Sequence, residues 1–165
     1  SRCVYIWVDK DYAVMRGQFQ GYPKKIGSIH LTRPTTVGKA GPRLEQGGTF
    51  GATLAAYDHR LIQAKFTIES ESDDAGFVNA LPMVHNRWMP SIECDGKDSL
   101  DEVVTMSGYD AEIGLTFKGS FEIDFFNSPV EEFQLLSPEE LIKGYYRQVG
   151  VSWKGGTTLK RSNLT

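Results

Sequence analysis

Short runs of β-branched and aromatic residues, separated by glycine- and proline-rich stretches, recur along most of this chain. The runs are CVYIWVD at 3–9, YAVMRGQF at 12–19, IGSIHLTR at 26–33, TFGATLAAYD at 49–58 and RLIQAKFTIE at 60–69. Residues of these types favour extended strands, and the intervening Gly and Pro favour turns and loops. The pattern therefore predicts an antiparallel sheet built from many strands.

The later part of the chain continues this pattern and then departs from it. Strand character returns at 83–93 and again at 102–126, where apolar and polar residues alternate. The segment SPEELIKGYYRQVG at 137–150 instead has apolar residues at helical spacing, behind a Ser-Pro start that suits a helix N-terminus. We therefore predict a mainly β (α+β) fold, a curved antiparallel sheet or closed β-barrel with one C-terminal helix at 137–150.

Composition and charge exclude several classes of protein. The 165 residues suffice for one domain with a sizeable core. The 18 basic and 21 acidic residues are mixed without a Lys/Arg run, so we expect neither a nucleic-acid nor a membrane partner. Cys3 and Cys94 lack metal-binding spacing, which favours a reducing, cytoplasmic location. Because His30, His59 and His85 are also far apart, we expect no metal site.

The stretch GYPKKIG at 21–27 places two adjacent lysines at a stiff corner. Pro23 fixes its own backbone and favours an extended conformation for Tyr22. Neighbouring side chains of an extended segment point to opposite faces, so we expect Lys24 and Lys25 to point apart. Taken alone, such a pair is more often a solvated charged patch than a functional site.

The segment CVYIWVDKDYAVMRGQF, followed by GYPKKIGSIHLTR, resembles the active-site region of the acetoacetate decarboxylase family. That family carries an aromatic-Pro-Lys-Lys-hydrophobic-Gly motif between strands, and RWMP at 87–90 with the Asp95-Gly96 turn extends the likeness. The resemblance covers essentially the whole chain but about the C-terminal two-thirds of a full family member. It implies a single acetoacetate decarboxylase-like domain over 1–165 that lacks the family's N-terminal portion, as a fragment or a processed chain.

The resemblance implies that Lys24 is a Schiff-base nucleophile, that Lys25 is its catalytic neighbour and that Tyr22 binds substrate. An amine attacks a ketone only when unprotonated, so the pKa of Lys24 must lie below the ordinary value of about 10.4. Because Lys25 is expected to point away, we expect desolvation to be the larger cause. The implied enzyme is a carbon–carbon lyase without a cofactor, a decarboxylase of acetoacetate or a related small keto acid.

Two departures from the family pattern leave other functions open. RGQ at 16–18 stands where the family often has Gly-Arg-Glu, so an aldolase, dehydratase or cyclase that uses the same lysine is an alternative. A third hypothesis is a β-barrel that binds a ligand without catalysis. The family's carboxylate-handling arginine and glutamates belong to its N-terminal portion, so we expect a missing segment or a companion chain, with Ser1 marking a processing or truncation point. The resemblance further implies a large homo-oligomer.

Four arginines are candidates for binding a substrate carboxylate within this chain. They are Arg16, Arg33, Arg43 and Arg87. Arg87 is the one that falls on a stretch resembling the family, and there we expect a structural ion pair.

Overall fold

The computed structural model describes residues 2–74, 82–93 and 95–162. These residues form two compact units, the first made of 2–26, 82–93, 95–111 and 151–162 and the second of 27–74 and 112–150. No helix in these ranges is long and apolar enough to cross a membrane. The expectations for Ser1 and Cys94 concern residues outside the described ones.

The first unit contains a parallel strand pair, a helix and a three-stranded sheet. Strands β1 (Ile6–Val8) and β2 (Lys24–Ile26) pair in parallel, and helix α1 (Asp11–Gln20) connects them. The antiparallel sheet has β7 (Asp98–Met106) at its centre, between β6 (Met83–Pro90) and β10 (Thr157–Arg161). The unit therefore brings the lysine corner at the start of β2 next to a helix.

Helix α1 shows that the strand predicted at 12–19 is wrong. The run contains a single β-branched residue, Val14, and four residues that favour helices, which are Ala13, Met15, Arg16 and Gln18. Asp11 lies in the first turn, where a carboxylate is favoured, and it accepts a hydrogen bond from the Tyr12 N–H at 2.7 Å. Gly21 ends the helix in the left-handed conformation with a φ of 73°.

The second unit contains most of a five-stranded sheet in which β3 to β5 and β8 pair antiparallel, while residues 108–111 of β8 and 151–153 of β9 belong to the first unit. The strand order is β3 (Ser28–Leu31), β4 (Thr49–Ala56), β5 (His59–Glu71), β8 (Gly108–Phe125) and β9 (Gly144–Trp153). The core of this unit consists of Phe50, Phe66, Ile68 and Phe117. The strands predicted at 49–58 and 60–69 are confirmed as β4 and β5, which form an antiparallel pair. A short 3-10 helix covers Phe133–Leu136.

The C-terminal helix predicted at 137–150 is wrong. Residues 137–143 form no helix, and Gly144 begins strand β9. A Cβ at position 144 would lie 2.5 Å from the Cβ of Phe121, so the close approach of these strands requires glycine. Tyr146 stacks on Phe50 with the ring centroids 4.4 Å apart. Packing of aromatic side chains across the sheet thus overrides the helical spacing of the sequence.

The mainly β fold class is confirmed, and the described residues contain one α-helix, which lies near the N-terminus of the chain. The glycine- and proline-rich segment 34–48, between β3 and β4, contains neither helix nor strand. Closure of the strands into a barrel and a single domain over 1–165 stay predictions.

Candidate active site

Lys24 lies at the start of β2, directly after the corner formed by Tyr22 and Pro23. The Tyr22 N–H donates a hydrogen bond to the Gly17 carbonyl at 2.9 Å, at the end of α1. The Ile6 N–H of β1 donates to the Pro23 carbonyl at 3.1 Å. These backbone hydrogen bonds hold the corner to the helix and to the neighbouring strand, so the Lys24 side chain extends from a rigid segment of backbone.

The two lysines point to different surroundings, which confirms the expectation from the extended backbone. Lys24 Nζ lies 5.7 Å from the ring centroid of Tyr22. Lys25 Nζ lies 4.6 Å from the ring of Tyr5 and 5.6 Å from that of Trp7. The ammonium group of Lys25 thus lies over the rings of Tyr5 and Trp7, whereas that of Lys24 lies near the ring of Tyr22.

Gly17 of helix α1 provides the surface against which the Lys24 stem packs. A Cβ at position 17 would lie 2.7 Å from Lys24 Cδ and 2.9 Å from Lys24 Cγ. Carbon atoms in favourable contact lie about 3.5–4.0 Å apart, so this packing requires glycine. The sequence analysis assigned no role to Gly17, although a glycine within a predicted strand was an available signal of a close backbone approach.

Burial and a neighbouring charge both lower the pKa of Lys24. Partial burial disfavours the ammonium form and is the larger cause, and the Arg16 guanidinium acts in the same direction. The expectation that desolvation is the larger cause is therefore confirmed. The nearby cation is Arg16, which the sequence offered as a candidate carboxylate binder but did not place near Lys24, because residues 12–19 were predicted as a strand.

Arg16 lies over the indole of Trp153, with its Cζ 6.0 Å from the ring centroid. Tyr22 contacts the same indole edge-on, with centroids 6.1 Å apart. Arg16 and Trp153 line a cavity of about 400 Å³, together with the buried side chains of Val104 and Met106. The Tyr22 ring at the lysine corner thus contacts the Trp153 ring, and Trp153 in turn contacts Arg16 and lines the cavity.

Tyr22 is 6% exposed and packs against His85, which is 3% exposed, with ring centroids 4.5 Å apart. Tyr22 Oη and His85 Nε2 are buried and have no hydrogen-bond partner among the described residues. Burial raises the pKa of Tyr22 and lowers the pKa of His85, so both side chains are neutral near neutral pH. The wall behind the lysine is therefore aromatic and uncharged.

Arg87 forms an ion pair with the buried carboxylate of Glu102, as the sequence predicts. Its Nη1 lies 2.9 Å from Oε2 of Glu102, and Arg161 Nε donates to the other carboxylate oxygen at 2.6 Å. Glu102 is 1% exposed, and the hydrogen bond from Arg87 is the main cause that lowers its pKa. The remaining two candidates, Arg33 and Arg43, belong to the second unit.

The first unit therefore assembles Lys24, Lys25 and Tyr22 as the motif predicts, and adds Arg16 and Gly17. A rigid lysine with a lowered pKa, beside an uncharged aromatic wall, is suited to attack on a carbonyl carbon. Within residues 2–74, 82–93 and 95–162, no group of three or more His, Cys, Asp or Glu could hold a metal ion. The catalytic and binding roles of these residues stay predictions.

Comparisons with known proteins identify relatives over almost the whole chain. The model of the acetoacetate decarboxylase (ADC) family matches residues 1–162. MppR, an enduracididine biosynthesis enzyme solved in complex with pyruvate, is 33% identical with a TM-score of 0.84, over 96% of this chain and 60% of MppR. MppR with the condensation product of pyruvate and imidazole 4-carboxaldehyde gives 34% identity and a TM-score of 0.85, over 96% and 59%.

More distant structures share the same fold. An acetoacetate decarboxylase-like enzyme from Sphingomonas wittichii RW1 is 26% identical with a TM-score of 0.84, over 96% of this chain and 62% of that one. A structure of acetoacetate decarboxylase is 16% identical with a TM-score of 0.75, over 95% and 60%. This chain thus spans about three-fifths of the length of these structures. A search of curated proteins finds no match.

Proposed function

The chain belongs to the acetoacetate decarboxylase family, and from this premise we propose that it forms an imine between Lys24 and the keto group of a small keto acid. The observation that carries the proposal is the setting of Lys24. The side chain is packed on Gly17 at a rigid corner, and burial and the Arg16 charge lower its pKa. Family membership supplies the class of enzyme, and the site supports the choice of nucleophile.

The chemistry starts with attack of the neutral Lys24 amine on the keto carbon. Uptake of a proton from solvent and loss of water then give a protonated imine, which accepts an electron pair. In a β-keto acid the bond to the carboxylate carbon breaks, its electron pair moves into the imine to give an enamine, and carbon dioxide leaves. Protonation of the enamine carbon and hydrolysis then release the ketone and restore the amine. This sequence makes the enzyme a decarboxylase of acetoacetate or a related acid.

Aldol condensation is a second candidate, favoured by the relatives that are about one-third identical. The MppR structures contain pyruvate and a condensation product of pyruvate with an aldehyde. From the same imine, loss of a proton from the carbon next to the imine gives an enamine. The enamine attacks an aldehyde carbon, and the aldehyde oxygen takes up a proton to become a hydroxyl group. Hydrolysis releases the product and the lysine. RGQ at 16–18, which departs from the family's Gly-Arg-Glu, fits a substrate other than acetoacetate.

Lys25 and Tyr22 have supporting roles in this proposal. Lys25 anchors β2 through its contacts with the rings of Tyr5 and Trp7, and it does not set the pKa of Lys24. Tyr22 presents its ring to the amine and to the bound substrate. We further propose that a segment or companion chain matching the remaining length of the relatives completes the pocket, in a homo-oligomer.

Borohydride trapping tests the proposal. The protein is incubated with acetoacetate, or separately with pyruvate, reduced and mapped by peptide mass. We expect the added mass on Lys24, its loss in Lys24→Ala and its retention in Lys25→Ala. Carbon dioxide released from acetoacetate, or a condensed product from pyruvate and an aldehyde, assigns the reaction. Folded protein that gives no adduct with either acid would instead be a ligand-binding protein without this catalysis.

A further inference from the structure

A cavity of about 750 Å³ opens on the second unit, and the proposed imine chemistry does not use it. Residues of β3, β4, β5, β8 and β9 line it, together with the chain that follows β3. A cavity of this size suits a ligand larger than a small keto acid. None of the described residues that line it belongs to the lysine corner or to helix α1, so its walls are separate from those of the site around Lys24.

The wall of this cavity is largely aromatic and apolar. Five aromatic rings line it, those of Phe50, Phe66, Phe121, Tyr145 and Tyr146. The Tyr146 ring stacks on that of Phe50 at 4.4 Å between centroids and on that of Phe66 at 6.2 Å. Leu31 and Val149 also line the cavity, although their side chains are 64% and 50% exposed. A ligand with a flat apolar body would remove this surface from water and pack against the rings, so such a ligand is favoured here.

The charged side chains that line the cavity are positive. They are Arg33, Lys65 and Arg147, and no Asp or Glu is among the described residues that line it. The Lys65 ammonium already pairs with Glu122 at 3.1 Å. Arg33 makes no hydrogen bond or ion pair with another described residue. Because a guanidinium presents a planar fork of N–H donors that matches a carboxylate, Arg33 is the group best suited to bind an anion in this cavity.

Arg33 lies close enough to the aromatic wall for one molecule to meet both. Burial raises the pKa of Tyr146, and the Arg33 charge acts against this rise, so the guanidinium lies within electrostatic reach of the Tyr146 hydroxyl. Asp74 accepts a hydrogen bond from the Tyr145 hydroxyl at 2.8 Å, but it does not line the cavity and forms no ion pair with Arg33. The cation and the rings therefore form one amphipathic site.

We infer that this cavity binds an aromatic carboxylic acid, whose ring lies against the rings of Phe50 and Tyr146 and whose carboxylate meets Arg33. The ring system supplies most of the affinity, because the aromatic wall is the larger part of the site. Arg33 is exposed, so water and salt screen its ion pair, and its role is to select the acid over uncharged molecules of the same shape. The site needs no keto group and is independent of the imine on Lys24.

Naphthoate and naphthamide test the site, because they share a flat ring system and differ in charge. The readout is the dissociation constant of each compound, measured by calorimetric titration of the whole chain. In Arg33→Gln we expect this constant to rise by about 3- to 10-fold for naphthoate and by less than about twofold for naphthamide. Leu31→Ser removes an apolar contact that both compounds share, so we expect it to weaken both by about threefold. The matched control is Lys39→Gln, which removes an exposed positive charge in the segment 34–48 that does not line the cavity.

Several results would overturn the inference. Folded wild-type protein that binds no naphthoate at about 1 mM would do so, since a specific site should bind more tightly than that. Arg33→Gln that weakens both compounds equally, or Lys39→Gln that weakens naphthoate as much as Arg33→Gln does, would remove the carboxylate contact from the account. Unchanged binding in folded Leu31→Ser would place the ring outside this cavity.

A further variant separates this site from the cavity of the first unit. Naphthoate binding that is lost in Arg16→Gln but kept in Arg33→Gln would place the ligand on the first unit and overturn the inference. Naphthoate has no keto group and forms no imine, so the titration does not depend on the proposed function. Borohydride trapping of pyruvate or acetoacetate on Lys24 tests that function separately.

Discussion

Lys24 packs the middle of its side chain against the backbone of Gly17, so closely that a Cβ at position 17 would lie 2.7 Å from Lys24 Cδ. The helix before the lysine corner therefore sets the direction of the amine. Since misplacement of a reacting group by about 1 Å can cost about 100-fold in rate, the residue at position 17 matters for catalysis even though it carries no functional group.

Gly17→Ala is expected to lower the rate of Lys24 trapping by about tenfold or more, because the new methyl group displaces the lysine stem. Alanine is favoured over glycine inside a helix by about 1 kcal/mol, so the helix itself is not weakened. Trapping rate and thermal melting are measured together. Gly150→Ala is the control, since its added Cβ meets its nearest neighbour at 3.9 Å. Unchanged trapping in folded Gly17→Ala would show that the contact does not position the amine.

Arg16→Gln is expected to move the acidic limb of the trapping profile to higher pH. Without the guanidinium, the ammonium form of Lys24 is less disfavoured, so the pKa of Lys24 rises and less neutral amine is present near neutral pH. Burial, the larger cause, remains, so the shift is partial. Pyruvamide serves as the ligand, which keeps carboxylate binding out of the measurement.

Lys25→Ala is the comparison for this profile. Because the Lys25 ammonium lies over the rings of Tyr5 and Trp7, its removal is expected to leave the pKa of Lys24 in place. A profile that moves as far in Lys25→Ala as in Arg16→Gln would contradict this account of the two lysines.

Lys24→Met is expected to abolish trapping and to raise the melting temperature near neutral pH by about 1–3 °C, because methionine keeps the apolar stem and removes a partly buried charge. The pKa of Lys24 is lowered in the folded state, so the unfolded chain binds more protons between that pKa and about 10.4. Wild-type stability therefore rises with pH in this window, and the advantage of the variant shrinks. A difference in melting temperature between Lys24→Met and the wild type that grows with pH would contradict the lowered pKa of Lys24.

Glu102→Gln is expected to lower the melting temperature by about 5 °C or more near neutral pH, because Arg87 and Arg161 lose a buried carboxylate partner. The pKa of Glu102 is lowered in the folded state, so the stabilisation is present above about 4.3 and is lost as the pH falls through the folded value. The difference between wild type and variant should then shrink in acid.

Glu122→Gln is the matched control for this experiment. Glu122 pairs with Lys65 at 3.1 Å, but its side chain is 71% exposed, so its removal should change the melting temperature by about 2 °C at most. If the two substitutions lowered the melting temperature equally, burial of Glu102 would add nothing to the stability that its ion pairs provide.

Local patterns in the sequence predict most of the sheet and the orientation of the lysine pair. The β4–β5 hairpin follows from runs of β-branched and aromatic residues, and the opposite directions of Lys24 and Lys25 follow from the extended backbone. Neither depends on contacts with distant parts of the chain.

Contacts between distant residues explain what the sequence did not predict. The strand character of β9 depends on Gly144 meeting Phe121 and on Tyr146 stacking on Phe50, and neither pairing is visible in a helical spacing. Arg16 becomes a neighbour of the lysine through helix α1, in a segment that resembles a strand. The sequence therefore offered Arg16 only as one of four candidate carboxylate binders, and it placed neither Arg16 nor Gly17 beside Lys24.

The measurement that tests the central claim most directly is the mass of the Lys24 peptide after incubation with pyruvate or acetoacetate and reduction with borohydride. The account predicts a stable adduct on Lys24 that is absent in Lys24→Met and present in Lys25→Ala. An adduct on Lys25 alone, or none on folded wild-type protein with either acid, would contradict it.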